Sequence, residues 1–254
     1  MSGDFLFTLT PQSMVSYIQR VSLTGPDDQT DISKLIDLAA RYPFVEWALL
    51  YVPHNEGAPR NPTKHWRQAF FKHLAHQSAV HLCGELAFRQ LLSNDLPEDI
   101  LVAPRLQLNI NARRREFTDD EVIRVYSRAL AFGPDIILQY HPGTAASIER
   151  FIQQVPAAHL DRVHVLLDSS LGLGRAPDKW ACPETLKHRY VGFAGGISPD
   201  NINAVVTAVE GIGMPCWIDM ESGIRTDNQL DAAKAEIVLK AVFGHDYKER
   251  VTVL

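Results

Sequence analysis

The chain has 254 residues, with 25 Lys and Arg against 30 Asp and Glu, a net charge of −5. That balance gives no support for a nucleic-acid or anionic-membrane partner. Hydrophobic residues make up 46% and charged residues 22%, which supplies a sizeable core and excludes a disordered chain. Cys83, Cys182 and Cys216 are odd in number and widely spaced, so neither a disulfide framework nor a CxxC metal pattern follows, and a reducing compartment is the default.

The opening MSGDFLFTLTPQ lacks a basic stretch, and its apolar run is too short for a secretory signal. No segment approaches the ~20 apolar residues of a membrane span. The expectation is a cytosolic protein. Short apolar runs read as strands at 14–21, 45–52, 79–84, 105–110, 135–140, 163–168, 190–194 and 216–220. Between them, Ile32, Leu35, Ile36 and Ala39 recur at helical spacing, and Trp66, Ala69, Phe70 and His73 do so more weakly. The segment 54–63 reads as a long loop after the second strand. Arg113-Arg114-Arg115 reads as a solvated loop. Thr118 to Glu121 is a capping box before the apolar-periodic run 122–132, and Gly133-Pro134 ends that helix. Pro199, within Ser198-Pro199-Asp200-Asn201, suits the first position of another helix.

Strand and helix alternating about eight times in this length predicts an α/β protein, a single (β/α)8 TIM barrel over residues 1–254. In such a barrel the strand ends carry the active face. Polar residues there are costly unless paired or functional. The candidates by strand are Glu46; His81 and Cys83; Gln107 and Asn109; Gln139 and His141; Asp168; and Asp219 with Glu221. Gln107 and Asn109 fit equally a hydrogen-bonded plug inside the barrel. His73, His76 and His81 do not make a convincing metal set, because the first two fall on an exposed-looking helix; no metal and no cofactor is expected. Gly195-Gly196, followed by a helix start, and Ser222-Gly223 on the next strand let backbone approach a ligand, as in the phosphate sites that barrels build after their last two strands.

Three segments resemble phosphoribosylanthranilate isomerase, a tryptophan-pathway β/α barrel. Leu166-Leu167-Asp168-Ser169-Ser170 is similar to the family's strand-six motif, with Gly172-Leu173-Gly174 and Trp180 similar to its loop. Ala194-Gly195-Gly196 with Pro199-Asp200-Asn201 is similar to its AGG turn and helix start. Asp219-Met220-Glu221-Ser222-Gly223 is similar to its D-x-S-S-G turn, with Glu221 in place of the first Ser. Leu106-Gln107-Leu108-Asn109 resembles its strand-four VQLH, with Asn109 where His is usual. The likeness covers roughly the second half of the chain, so a diverged relative is expected.

The resemblance implies acid–base isomerisation of a phosphorylated sugar conjugate, with Asp168 as general acid. Its carboxyl pKa would rise by burial or beside Asp219 or Glu221. The family's general base is the Cys of a strand-one K-x-C-G motif, and no Cys stands in strand one here. Cys83, His81 and Glu46 are the candidates to replace it. The expected substrate-binding residues are Gln107, Asn109, Gln139, Gly195, Gly196, Asp219, Glu221, Ser222 and Gly223. The partner is a small molecule, phosphorylated on this reading, bound by a monomer or homodimer. A related isomerase or lyase with another substrate, or a ligand-binding barrel without catalysis, fits the same residues.

Overall fold

The computed structural model describes residues 16–110, 117–168 and 175–244. Eight parallel strands close into a barrel in chain order, each hydrogen-bonded to the next and the last to the first. They are β1 (Ile18–Thr24), β2 (Val45–Tyr51), β3 (Ser78–Cys83), β4 (Arg105–Asn109), β5 (Asp135–Tyr140), β6 (Val163–Asp168), β7 (Val191–Ala194) and β8 (Cys216–Met220). Seven α-helices surround them among the described residues: α1 (Ile32–Arg41), α2 (Lys64–Leu74), α3 (Glu85–Ser93), α4 (Asp119–Ala131), α5 (Ala145–Gln154), α6 (Ile202–Glu210) and α7 (Ala232–Phe243). Between β6 and β7 the described chain makes only a 3₁₀ turn, Glu184–Leu186. The TIM-barrel expectation is met. Ser169, Ser170, Gly172 to Gly174 and the Arg113 to Arg115 run lie outside the described residues.

Side chains alternate along each strand. One set, including Val21, Leu23, Leu49, Val80, Leu82, Leu106, Leu108 and Leu138, joins the large buried cluster with helix residues such as Leu35, Phe70, Phe88 and Ile148. The other set points into the barrel, and there a small apolar cluster of Ile137, Leu166, Ala194 and Trp217 shares the interior with polar groups. Near the strand starts, Arg105 Nη1 donates to both oxygens of Glu46, at 2.8 and 3.0 Å, and Arg20 adds a third bond at 2.9 Å. The Arg105 guanidinium lies 4.5 Å from the Trp217 ring centroid, a cation–π contact that covers a face left without hydrogen bonds.

The α4 capping box forms as the sequence predicts, with Thr118 and Glu121 bonding each other's backbone N–H. Apart from β1, the strands fall within one residue of the expected bounds; β1, whose start also shifts from 14 to 18, and α6 differ more. β1 runs to Thr24, three residues beyond the expected end, because Ser22 and Thr24 turn inward, where Thr24 bonds Asp219, while Val21 and Leu23 pack outward. α6 begins at Ile202 with Asn201 as its cap residue, so Pro199 sits in the preceding turn. A two-stranded hairpin, Arg225–Thr226 with Gln229–Leu230, turns through Asp227 and Asn228 after β8. Nothing in the sequence analysis anticipates it.

Candidate active site

The ends of β6, β7 and β8 meet at one cavity of about 310 Å³, lined by Asp168, residues 194–198 and residues 219–223. The register sets the arrangement. Asp168 pairs with Ala194 and Ala194 with Asp219, so the two carboxylates stand two strands apart at one level, roughly 10 Å between backbones. Alternation points both inward.

Asp168 ends β6, buried, and Gln139 Nε2 donates to its Oδ2 at 2.9 Å. Gln139, an expected binding residue, therefore fixes the carboxyl that the resemblance makes the acid. Asp219 is buried on the other flank, with Thr24 Oγ1 donating to its Oδ1 at 2.8 Å. Burial is the main cause that pushes the Asp219 carboxyl up to about 7; hydroxyl bonds from Thr24 and Ser22 pull it down, and the Glu221 and Glu46 charges add to the rise. Sequence reasoning missed Thr24 because strand one was placed too early.

The floor between them is backbone. Gly196 has φ of 60°, and a Cβ there would stand 2.3 Å from Ala176 N. A Cβ on Gly223 would stand 2.0 Å from Ile197 O. The loops after β7 and β8 thus touch backbone to backbone, which only glycine permits. Asn201 locks the first loop: its Oδ1 accepts from Ser198 N at 2.9 Å and its Nδ2 donates to Gly196 O at 2.8 Å. A 3₁₀ turn, Ser222–Ile224, follows β8. Paired Gly-rich turns of this kind form anion cradles. Glu221 sits on the rim, and Arg60, from the loop after β2, donates Nη1 to its Oε1. That carboxylate is accordingly neutralised by a cation that sequence spacing could not place.

The remaining candidates gather elsewhere in the barrel. Gln107 Nε2 donates to Asn109 Oδ1 at 2.8 Å and lies 3.3 Å from His81 Nδ1, and Asn109 Nδ2 donates to Cys83 Sγ at 3.3 Å. This ladder across β3 and β4 is the hydrogen-bonded plug that the sequence allowed. Burial drives the His81 imidazole down to about 4, and burial pushes the Cys83 thiol up to about 12. At neutral pH one is a weakly basic neutral ring and the other a protonated thiol. Glu46 is not brought to the cavity. It lies in the layer near the strand starts, where Arg105 and Arg20 outweigh burial and hold its carboxyl below the usual range. His141 caps a turn, accepting from Gly143 N at 3.1 Å.

A larger cavity, about 600 Å³, opens beside Arg20, His164, Tyr190, Phe44 and Phe243. It lies at the strand-start end, where barrels place stability determinants, and it lacks the paired carboxylates. Convergence of chemical groups favours the smaller cavity.

A (β/α)8 barrel with two buried carboxylates beside a glycine cradle after β7 and β8 defines a class of barrels suited to acid–base work on an anionic ligand. Among known proteins, the sequence profile of the N-(5'phosphoribosyl)anthranilate (PRA) isomerase family matches residues 119–241. Over that stretch, just under half of its length, the chain resembles phosphoribosylanthranilate isomerases. It is 31% identical over 83 residues to the N-(5'-phosphoribosyl)anthranilate isomerase of Methanococcus maripaludis, a stretch covering 33% of this chain and 36% of that protein; the chain thus spans about a third of the length of the curated relative it matches. The phosphoribosyl anthranilate isomerase of Thermus thermophilus shares the fold, with TM-score 0.57 and 18% identity over 87% of this chain and 97% of that one. A phosphoribosyl anthranilate isomerase solved in complex with reduced 1-(o-carboxyphenylamino)-1-deoxyribulose 5-phosphate does so at TM-score 0.55 and 15% identity, covering 89% of this chain and all of that one. No helix among the described residues is long and apolar enough to cross a membrane.

Proposed function

We propose that the protein isomerises a phosphorylated ribosyl-amine conjugate, phosphoribosylanthranilate first among the candidates. The observation that carries this reading is the shared cavity, in which Asp168, held by Gln139, faces the same space as the glycine cradle and Asp219. The cradle after β7 and β8 takes the phosphate. Asp168 gives a proton to the furanose ring oxygen and opens the ring to an iminium. A base then removes the proton from the adjacent carbon, and the resulting enolamine tautomerises to the ketone. Protons move and no group leaves, so the product is an isomer. A fold neighbour binds a reduced phosphorylated ribulose conjugate, which supports a ligand of that class.

The experiment is turnover of freshly made phosphoribosylanthranilate, followed by loss of its fluorescence, in wild type and Asp168→Asn. Loss in the variant with folding intact supports the reading; no turnover by folded wild type rejects it. One observation favours a second substrate within the same chemistry: Glu221 adds a carboxylate to the rim where the family carries Ser, and Arg60 is engaged in neutralising it. A phosphorylated sugar with a less anionic aglycone suits that rim better, and the same assay with such a conjugate distinguishes the two.

A further inference from the structure

The reaction proposed above needs a base, and the family's strand-one thiol is missing. The register of β1 shows what replaced it. In K-x-C-G the Cys precedes a glycine at the strand's end; β1 ends Ser22-Leu23-Thr24, followed by Gly25. Thr24 therefore holds the place of the thiol. A threonine hydroxyl is too weak an acid to ionise and serve as a base, and here it is already committed as a donor to Asp219.

We propose that Asp219 is the proton acceptor of this barrel, with Thr24 as its positioning residue. The inference rests on the isomerase reading. Three placements support it. Asp219 lines the cavity that holds Asp168 and the glycine cradle. It stands on the opposite flank of that cavity from the acid, one β7 residue between them. Thr24 donates to its Oδ1, and Ser22 adds a second hydroxyl bond, so the carboxylate is held in place on the β1 side. The three residues nominated from sequence serve less well, since Glu46 is locked between two arginines, His81 is a weak base and Cys83 keeps its proton.

In the balanced step, Asp168 gives a proton to the ring oxygen and Asp219 takes one from the adjacent carbon. The enolamine then loses its hydroxyl proton as the neighbouring carbon gains one, and solvent returns Asp219's proton to Asp168. A carboxyl that titrates near neutrality suits this cycle, because it is ionised often enough to act and basic enough to accept. The groups facing Asp219 are Ser22 and Thr24 from β1, Glu46 from β2 with its Arg20 and Arg105 partners, Ala194 from β7, and Glu221 from its own loop. Among the charged ones, Glu221 and Glu46 raise its pKa.

The test uses the full chain and phosphoribosylanthranilate. Asp219→Asn should lose about 10²–10⁴-fold in kcat with little change in KM, and Thr24→Val, which removes a donor to the carboxylate, should move the acidic limb of the kcat/KM profile to higher pH. Thr24→Cys added to Asp219→Asn should restore part of the lost turnover, as a thiol returns to the strand-one position. Wild type and Asp219→Asn both active, with Asp168→Asn inactive, overturns the base and leaves the isomerase intact. A Thr24→Val profile that coincides with that of wild type also overturns it, whether or not Asp219→Asn folds. Folded wild type without turnover removes the reaction and the base together.

Discussion

Replacing Asp219 by Asn should stabilise the protein at alkaline pH. Burial holds the folded-state carboxyl at about 7, whereas in the unfolded chain it titrates near the ordinary value of about 3.9. The unfolded state therefore releases this proton first as pH rises. Its contribution to stability is complete below about pH 4, declines from about pH 4 to about 7, and is gone above. The separation corresponds to about 4 kcal/mol. Asn in place of Asp cannot ionise, so the variant escapes the decline; reorganising the Thr24 and Ser22 hydroxyls around an amide returns roughly 1 kcal/mol. A net gain of about 2–4 kcal/mol at pH 8, shrinking to nothing or reversing at pH 4.5, is the expected result. Urea unfolding of both proteins at the two pH values, compared at equal m, measures it. The comparison must be the variant minus wild type, because Glu46 and Glu236, whose carboxyls are lowered in the fold, give wild type an opposing dependence in acid. A difference that stays constant from pH 4.5 to 8 would refute the reasoning, since the carboxyl would then not be held protonated by burial.

Other expectations follow from particular contacts. Glu46→Gln leaves Arg105 buried without its counter-charge and should cost about 3–5 kcal/mol in thermal or chemical unfolding, with KM unchanged where the folded protein is assayed. Gln139→Leu removes the donor that holds Asp168 and should lower kcat by about tenfold or more while leaving the alkaline stability gain of Asp219→Asn intact, as measured by steady-state kinetics and unfolding. Gly223→Ala pushes a methyl into Ile197 O, so it should displace the cradle and weaken protection of the fold by inorganic phosphate, read as a smaller phosphate-dependent rise in Tm. Cys83→Ala should keep turnover within about threefold, because the thiol is protonated and bonded into the β3–β4 ladder.

The barrel was legible in the sequence because its strands are short apolar runs and its helices carry 3.6-residue periodicity, and β5, β6 and β8 fall at the expected bounds. β1 was misplaced for a physical reason that matters. Ser22 and Thr24 lie beyond the expected strand end at 21, yet they are strand residues whose hydroxyls meet a buried carboxylate. Polar residues inside a barrel erase the apolar signal at the site where chemistry requires them. The glycine cradle was readable from Gly195-Gly196 and Ser222-Gly223, since close backbone approach needs that residue type. The separation of Glu46 from Asp168 was not readable, because barrel depth follows from strand stagger, and neither Arg20 nor Arg105 announces itself as a partner for Glu46. Arg60 reaches Glu221 over 161 residues, a distance no local pattern encodes.

The central claim is that the cavity at the ends of β6, β7 and β8 isomerises a phosphorylated ribosyl-amine through Asp168. Turnover of phosphoribosylanthranilate by wild type and by folded Asp168→Asn, followed by fluorescence loss, tests it most directly. The account predicts measurable turnover in wild type that falls by about 10²-fold or more in the variant. Equal turnover in the two proteins, or none in folded wild type, would contradict it.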